Sequence, residues 1–300
     1  MVLPINMHIW RFGLGDHIFI TGATGFLGQR LAAGLLTGDA ESELYLLIRG
    51  SASQSAQERL EKLAVLIADH ASLSLPDTLK RLHLVEGDLG QDYYGLSEND
   101  FEQLAQKITA IYHSAANVRF DLDWPTAERF NVGGTKNGLR LAGRATEHGQ
   151  FKRYNHISTA YVAGKREGVI YAEDLDCGQD FNNTYEQSKL EAERLVRKAM
   201  RDFACTVFRP SIVMGDSKTG KTESYNVLYA PIKWAYFAKL RVVPGSSDSK
   251  IDCVPVDYVV DSVLYLSSLG DEVVNETLHL TVGPGRTISV KELITQSRDT

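Results

Sequence analysis

Three glycines at three-residue intervals, Gly22, Gly25 and Gly28, fall within the run Thr21-Gly-Ala-Thr-Gly-Phe-Leu-Gly28. A short apolar segment, His17 to Ile20, precedes them, and Phe26 to Leu36 follows with apolar residues at helical spacing. That order predicts a strand, a tight turn and a helix. The spacing is G-x-x-G-x-x-G rather than G-x-G-x-x-G, but the physical demand is shared. It needs a sharp turn, backbone bare enough to touch a pyrophosphate, and a helix N-terminus offering N–H groups and a positive dipole. Thr21, Gly22, Thr24, Gly25, Phe26, Leu27 and Gly28 are therefore candidate dinucleotide contacts.

The same alternation continues along the chain. Glu43 to Ile48, Leu82 to Val85, Thr109 to His113, Tyr154 to Ser158 and Cys205 to Phe208 read as strands. Helices are predicted at Ala56 to Ala68, from the capping-box-like Ser97 to Asp100 through Ile108, from about Thr126 to His148, and at Tyr185 to Arg201. Gly133 and Gly134 weaken the third of these. Strands read as apolar runs (IFIT, YLLI, AIYH) rather than as alternating patterns, as expected when both faces of a sheet are covered. The fold class expected is α/β, a Rossmann-type doubly wound parallel sheet with a small C-terminal substrate-binding lobe.

After Arg209 the rhythm changes. Gly215 to Gly220 is loop-like, Tyr225 to Leu240 has the apolar content of a helix, and Val242 to Lys250 is polar and turn-rich. Pro255 to Leu269 reads as an apolar strand or helix, and Thr277 to Val282 as a further strand. The expected division is a dinucleotide domain over 1–214, with 255–282 returning to it, and a substrate lobe from 215–254 and 283–300. A helix starting at Ser289 to Ile294, so close to Thr300, fits a truncated C-terminus.

Composition removes several alternatives. A net charge of -6 over 300 residues gives no basic footprint, so no nucleic-acid partner is expected, and any phosphate must be met locally. Three widely spaced cysteines and eight histidines without ligand spacing predict neither a disulfide framework nor a metal site. Met1 to Gly15 lacks the layout of a signal peptide, and no segment reaches the roughly 18 apolar residues of a membrane span. A soluble cytoplasmic protein is expected, with its oligomeric state left open.

The end of the second strand bears on cofactor type. An acid there would accept hydrogen bonds from a free ribose 2′-hydroxyl, but this strand ends Leu47-Ile48-Arg49. Arg49 favours a 2′-phosphate, hence NADP(H), unless it is only a solvated surface cation; Arg59 and Arg30 are weaker candidates for the same patch. Asp88 and Leu89 follow the third strand, and Ser114, Ala115 and Ala116 the fourth, where ligands bind in open α/β sheets. Asp88 would meet the adenine amino group, and the alanines would let the dinucleotide pass.

Tyr185 and Lys189 stand four residues apart on one helix face. A phenol with pKa near 10 is a poor acid at neutral pH, and a nearby ammonium lowers it. Thr159, chosen over Ser158 at the end of the fifth strand, would donate to a carbonyl oxygen as charge develops on it; a strand-end Ser-Thr pair that merely caps a turn is the plainer alternative.

These motifs resemble the extended short-chain dehydrogenase/reductase superfamily. Within it the chain is most similar to the thioester-reductase and fatty acyl-CoA reductase branch, the male-sterility type NAD-binding domain. The residues responsible are TGATGFLG at Thr21, LLIRG at Leu46, EGDL at Glu86, HSAANVRF at His113, FNVGGT at Phe130, HISTAYVAG at His156, YEQSK at Tyr185, FRPSIVMG at Phe208 and VPVDYVV at Val254. The branch rests mainly on HSAANVRF and STAYVAG. The resemblance implies that Asn131 helps organise the active site and that Pro210, Ser211 and Ile212 lie near the nicotinamide. It also implies hydride transfer from NADPH to an acyl-CoA or carrier-bound thioester, giving an aldehyde and then possible reduction to alcohol.

Three other readings compete. Gly215-Asp-Ser-Lys-Thr-Gly220-Lys221-Thr222 satisfies the P-loop pattern G-x-x-x-x-G-K-[ST]. A sugar-nucleotide epimerase or dehydratase would share the cofactor site and the Tyr-Lys pair, although the apolar Val227 to Leu240 suits an acyl chain better. A non-catalytic NADP-binding regulator would have no use for that pair.

Overall fold

The computed structural model describes residues 15–225, 229, 249–283 and 285–298. The N-terminal segment judged for a signal peptide and, apart from Tyr229, the apolar stretch Val227 to Leu240 lie outside the described residues.

Seven parallel strands form the central sheet: β1 (His17–Thr21), β2 (Glu43–Ile48), β3 (Leu82–Glu86), β4 (Ala110–His113), β5 (Arg153–Ile157), β6 (Cys205–Pro210) and a strand at Thr277–Leu280. From one edge the order runs β3-β2-β1-β4-β5-β6 and then Thr277–Leu280. The chain therefore winds outward in both directions from the boundary between β1 and β4, and a crevice opens there at the carboxyl ends of the strands.

Alternate residues of β1 explain why such strands read as unbroken apolar runs. Ile18 and Ile20 join a core with Leu31 and Leu35 of α1 (Phe26–Gly38), Leu60 of α2 (Ala56–Ala71), and Val259 and Val263 of the later helix Val256–Ser268. Phe19 between them joins an opposite core, with Phe101 and Leu104 of the helix Glu98–Lys107, Leu141 of the helix Gly134–Glu147 and Val196 of the helix Thr184–Ala199. Each fully buried Ile or Phe contributes about 1.5–3 kcal/mol. A register slip would exchange the two cores at once.

Elements depart from the sequence reading in identifiable ways. The segment 255–269 is a helix, Val256–Ser268. A short helix, Leu75–Lys80, was not expected, although Ser74 caps it by accepting from the Asp77 N–H at 3.2 Å and a proline opens it. The helix expected over Thr126 to His148 is a short helix, Trp124–Ala127, then a π-turn, Glu128–Gly133, and then Gly134–Glu147. The extra residue of a π-turn shifts the helical phase and commonly marks a functional site.

Beyond β6, Ile212–Met214 pairs in parallel with Cys253–Pro255, and Lys250–Ile251 pairs antiparallel with Ile288–Ser289. The second pairing joins the two sequence segments expected to share the lobe. Within Gly215 to Thr222 the pattern of a phosphate loop is satisfied internally. The Asp216 carboxylate accepts the N–H groups of Lys218 at 3.1 Å and Thr219 at 2.9 Å, and the Gly220 N–H goes to the Asp216 carbonyl at 2.9 Å. The protein's own carboxylate takes donors that a P-loop would offer to an anion.

Candidate active site

The glycine turn is shaped by steric exclusion. Gly22 has φ +77°, and a Cβ on it would stand 2.6 Å from the backbone nitrogen of Ala115. Only glycine lets the turn after β1 approach the end of β4 so closely. On Gly28 a Cβ would lie 2.1 Å from the carbonyl oxygen of Gly22, so this glycine lets α1 pack against the turn. The helix begins at N-cap Gly25 with no side-chain cap and no acid in its first turn. Its first N–H groups and dipole face outward without a built-in anion.

A cleft of about 400 Å³ opens beside this turn. It brings together Gly22, Thr24, Gly25, Arg49, Asp88, Leu89, Ser114, Ala115 and Ala116 from the ends of four strands, with Arg59 and Phe130 also lining it. Thr21 lies beneath: its hydroxyl bonds His113 at 2.9 Å and accepts the Ala115 N–H at 3.3 Å. Phe26 and Leu27 pack against the core rather than line the cleft. The Arg49 side chain is 60% exposed and pairs with Asp88 at 3.0 Å, while Arg59 donates to the Arg49 carbonyl. Burial raises the Asp88 carboxyl, but the Gly90 N–H and Arg49 outweigh it and hold the group below its ordinary value. Arg30 turns away from this cleft, pairing with Asp216 at 3.4 Å and Glu223 at 3.1 Å.

A second cluster of candidate residues lies at the ends of β5 and β6. Helix Thr184–Ala199, α3 in the labels used from here on, is capped by Asn183, whose side chain accepts the Glu186 N–H at 3.0 Å. That cap fixes Tyr185 in the first turn and Lys189 in the next. The buried Lys189 ammonium donates to the Ile157 carbonyl at 2.7 Å. Burial lowers its pKa to about 8, with Glu193 pulling the other way. Burial pushes the Tyr185 phenol up to about 12, and a hydrogen bond with Thr159 pulls it down in part. At that value the phenol is neutral and carries its proton at pH 7.

Ser158 and Thr159 have different duties. The Ser158 hydroxyl donates to the buried Glu193 carboxylate at 2.7 Å. Thr159 accepts the Tyr161 N–H at 3.2 Å, donates to the Pro210 carbonyl at 3.4 Å, and meets the Tyr185 phenol. Pro210 thus adjoins the site by its carbonyl; Ser211 is buried and donates its N–H to Leu280 at 3.2 Å, and Ile212 begins the small strand beyond.

The family model described as "Male sterility protein", an NAD-binding domain, matches residues 20–263. The chain belongs to this family. It is an NAD(P)-binding domain of the extended short-chain dehydrogenase/reductase type. The chain is 33% identical over 86% of its length to a nonribosomal peptide synthetase of Aspergillus flavus, covering 25% of that protein. It is 28% identical over 99% of its length to a putative fatty acyl-CoA reductase of Drosophila melanogaster, covering 60% of it. The chain thus spans less than two thirds of either relative. The terminal R domain of the myxalamid PKS-NRPS biosynthetic pathway superposes with a TM-score of 0.81 at 30% identity, over 99% of this chain and 75% of that one.

In this male-sterility domain, Asn131, expected from the family resemblance, acts together with residues that sequence reasoning passed over. Asn131, on the π-turn, accepts the Asn117 N–H at 2.7 Å and donates to the Asn117 carbonyl at 3.1 Å and to Ser188 of α3 at 2.9 Å. It ties the loop after β4 to the helix that carries Tyr185. Glu193, one helical turn past Lys189, pairs with fully buried Arg209 at 2.7 Å. An arginine inside the apolar strand Cys205–Pro210 signals that a buried partner exists, but not which carboxylate supplies it. His113 and His156 stack at 5.5 Å beneath Lys189, and burial, with Lys189 second, drives His113 down to about 3. No cluster of metal-binding side chains occurs among the described residues.

Proposed function

We propose that this domain reduces acyl thioesters, acyl-CoA or carrier-bound, with NADPH, using Thr159, Tyr185 and Lys189 as its catalytic groups and Asn131 as their organiser. One observation carries the reading: a neutral Tyr185 phenol meets the Thr159 hydroxyl where β5 and β6 end, on the same carboxyl-end side of the parallel sheet as the glycine turn after β1. The names of relatives, fatty acyl-CoA reductases and a terminal R domain among them, support the substrate class.

The residues divide the work as follows. The turn at Gly22 and Gly25 and the open end of α1 receive the pyrophosphate, with Gly28 allowing the packing. Thr21, Phe26 and Leu27 hold the turn from below, Asp88 and Leu89 face the adenine, and Ser114, Ala115 and Ala116 line the passage toward Pro210, Ser211 and Ile212 at the nicotinamide. Arg49, with Arg59, binds the 2′-phosphate and selects NADP(H) over NAD(H). Bound NADPH supplies the hydride. As the thioester carbonyl carbon gains it, the oxygen takes up the bonding pair; Thr159 donates a hydrogen bond and Tyr185 a proton to that oxygen. The hemithioacetal then loses thiolate, which takes the proton from the hydroxyl and leaves an aldehyde, and the Tyr185 phenolate regains its proton from solvent. Lys189 would hold the nicotinamide ribose. Residues 215–254 and 283–300 form the substrate lobe in this reading.

A sugar-nucleotide enzyme of the same fold is the alternative. The UDP-glucuronic acid 4-epimerase of Bacillus cereus superposes with a TM-score of 0.69 at 19% identity, over 94% of this chain and 82% of that one, a likeness of fold alone. Loss of reduced-nicotinamide absorbance upon adding long-chain acyl-CoA or a carrier-bound thioester tests the proposal. Tyr185→Phe is expected to lower kcat by about 10²–10⁴-fold. Undiminished turnover in that variant would refute the assigned acid.

A further inference from the structure

The loop from Asn117 to Asp123 presents apolar side chains to solvent directly beside the proposed proton donor. Phe120 is 47% exposed, and its ring centroid lies 5.7 Å from that of Tyr185. Two further exposed apolar groups flank it: Val118, 46% exposed, stands two residues earlier in the loop and lines the nucleotide cleft, and Tyr161, 39% exposed, follows Thr159 by two residues and acts on the same Tyr185 phenol. Exposed apolar side chains gathered at a site mark a surface that a ligand covers.

This loop is anchored rather than loose. At one end Asn131 holds both the N–H and the carbonyl of Asn117, at 2.7 Å and 3.1 Å. At the other, the Thr184 hydroxyl of α3 donates to the Leu122 carbonyl at 2.9 Å. Between them Arg119 and Asp121 satisfy each other through two bonds, at 3.0 Å and 2.8 Å. The polar side chains on either side of Phe120 are thus engaged, and the ring is what the loop offers.

Resting on the thioester-reductase reading above, we infer that Phe120 is a specificity-determining residue that bears the acyl chain next to the reacting carbonyl. The two halves of a thioester substrate differ in what they need from a wall. A pantetheine arm carries amides that require hydrogen-bond partners, whereas an acyl chain requires only apolar area. The Phe120 ring supplies the second and not the first. Because it sits beside the phenol that serves the carbonyl oxygen, the chain segment nearest the carbonyl passes over it.

The test compares acetyl-, octanoyl- and palmitoyl-CoA in NADPH-oxidation assays with the wild type, Phe120→Ala and Phe120→Leu. In Phe120→Ala, kcat/KM is expected to fall about tenfold for octanoyl- and palmitoyl-CoA and less than about twofold for acetyl-CoA, which has no chain to lay over the ring, the loss lying mainly in KM. Phe120→Leu is expected to recover most of it, and NADPH affinity to stay unchanged because the ring does not line the nucleotide cleft. An equal loss on all three substrates, or none, overturns the inference while leaving the reductase reading intact. A wild-type domain that oxidises NADPH with none of the three, nor with a carrier-bound thioester, sinks the reductase reading itself and this inference with it.

Discussion

At the turn after β1 the candidate site is shaped by side chains that are missing, whereas at the ends of β5 and β6 it is held by side chains that bond one another. Gly22 and Gly28 leave room that a single Cβ would fill with contacts of 2.6 Å and 2.1 Å to backbone atoms. The other half depends on Glu193, which receives Ser158, Arg197 and Arg209 together, and on Asn131, which spans the loop after β4 and α3. The first half is local in sequence and built from backbone. The second is assembled from residues far apart in the chain, so it fails through lost partners rather than through overlap.

Breaking the side-chain-held half should cost the most. Glu193→Ala leaves Arg209 fully buried without its carboxylate, and such a loss costs about 3–5 kcal/mol. Urea unfolding should show it as a lower midpoint at nearly unchanged slope. A loss below about 1 kcal/mol would mean that the network does not hold this half. The backbone-built half should respond differently. Gly28→Ala places its Cβ against the Gly22 carbonyl, which has no rotamer to yield. NADPH affinity, followed by nicotinamide fluorescence, should weaken on the order of a hundredfold, equivalent to about 2.7 kcal/mol. Unaltered affinity would show that the turn relaxes without harm.

A pH experiment sharpens the contrast further. Lys189 has its pKa lowered by burial from 10.5 to about 8. Unfolding therefore takes up a proton between those values, and the penalty for burying the cation, present in full below about 8, is relieved as pH rises. Between pH 8 and pH 10, wild-type stability should rise relative to Lys189→Met, because the other groups that titrate in this window are common to both proteins and cancel in the difference. A flat difference across that window would mean that Lys189 is not buried as a cation.

The same contrast governs what could be read from the sequence. The strands were legible because both faces of the sheet are covered, so each appears as an apolar run, and the glycine spacing announced the turn at once. The π-turn at Glu128–Gly133 was not, because apolar periodicity does not distinguish it from an ordinary helical turn. Asn131 consequently entered through family resemblance alone. Arg30 lies two residues beyond Gly28 and suggested a phosphate patch. Its position on α1 instead directs it to Asp216 and Glu223, partners that no local pattern reveals. Ser158 likewise turns to the distant Glu193, a partner that no local pattern reveals.

Arg49 tests the boundary between the two modes, because it is a side-chain contact added to the backbone-built half. Its guanidinium is 60% exposed and already paired with Asp88 at 3.0 Å, so a 2′-phosphate must compete with a carboxylate and with water. A charge-assisted bond contributes about 1.5–3 kcal/mol, and exposure argues for the low end. Arg49→Ala should therefore weaken NADPH about tenfold while leaving NADH nearly unaffected, as measured by parallel titrations. If both cofactors weaken alike, Arg49 shapes the cleft through Asp88 rather than reading the phosphate, and Arg59 becomes the residue to replace next.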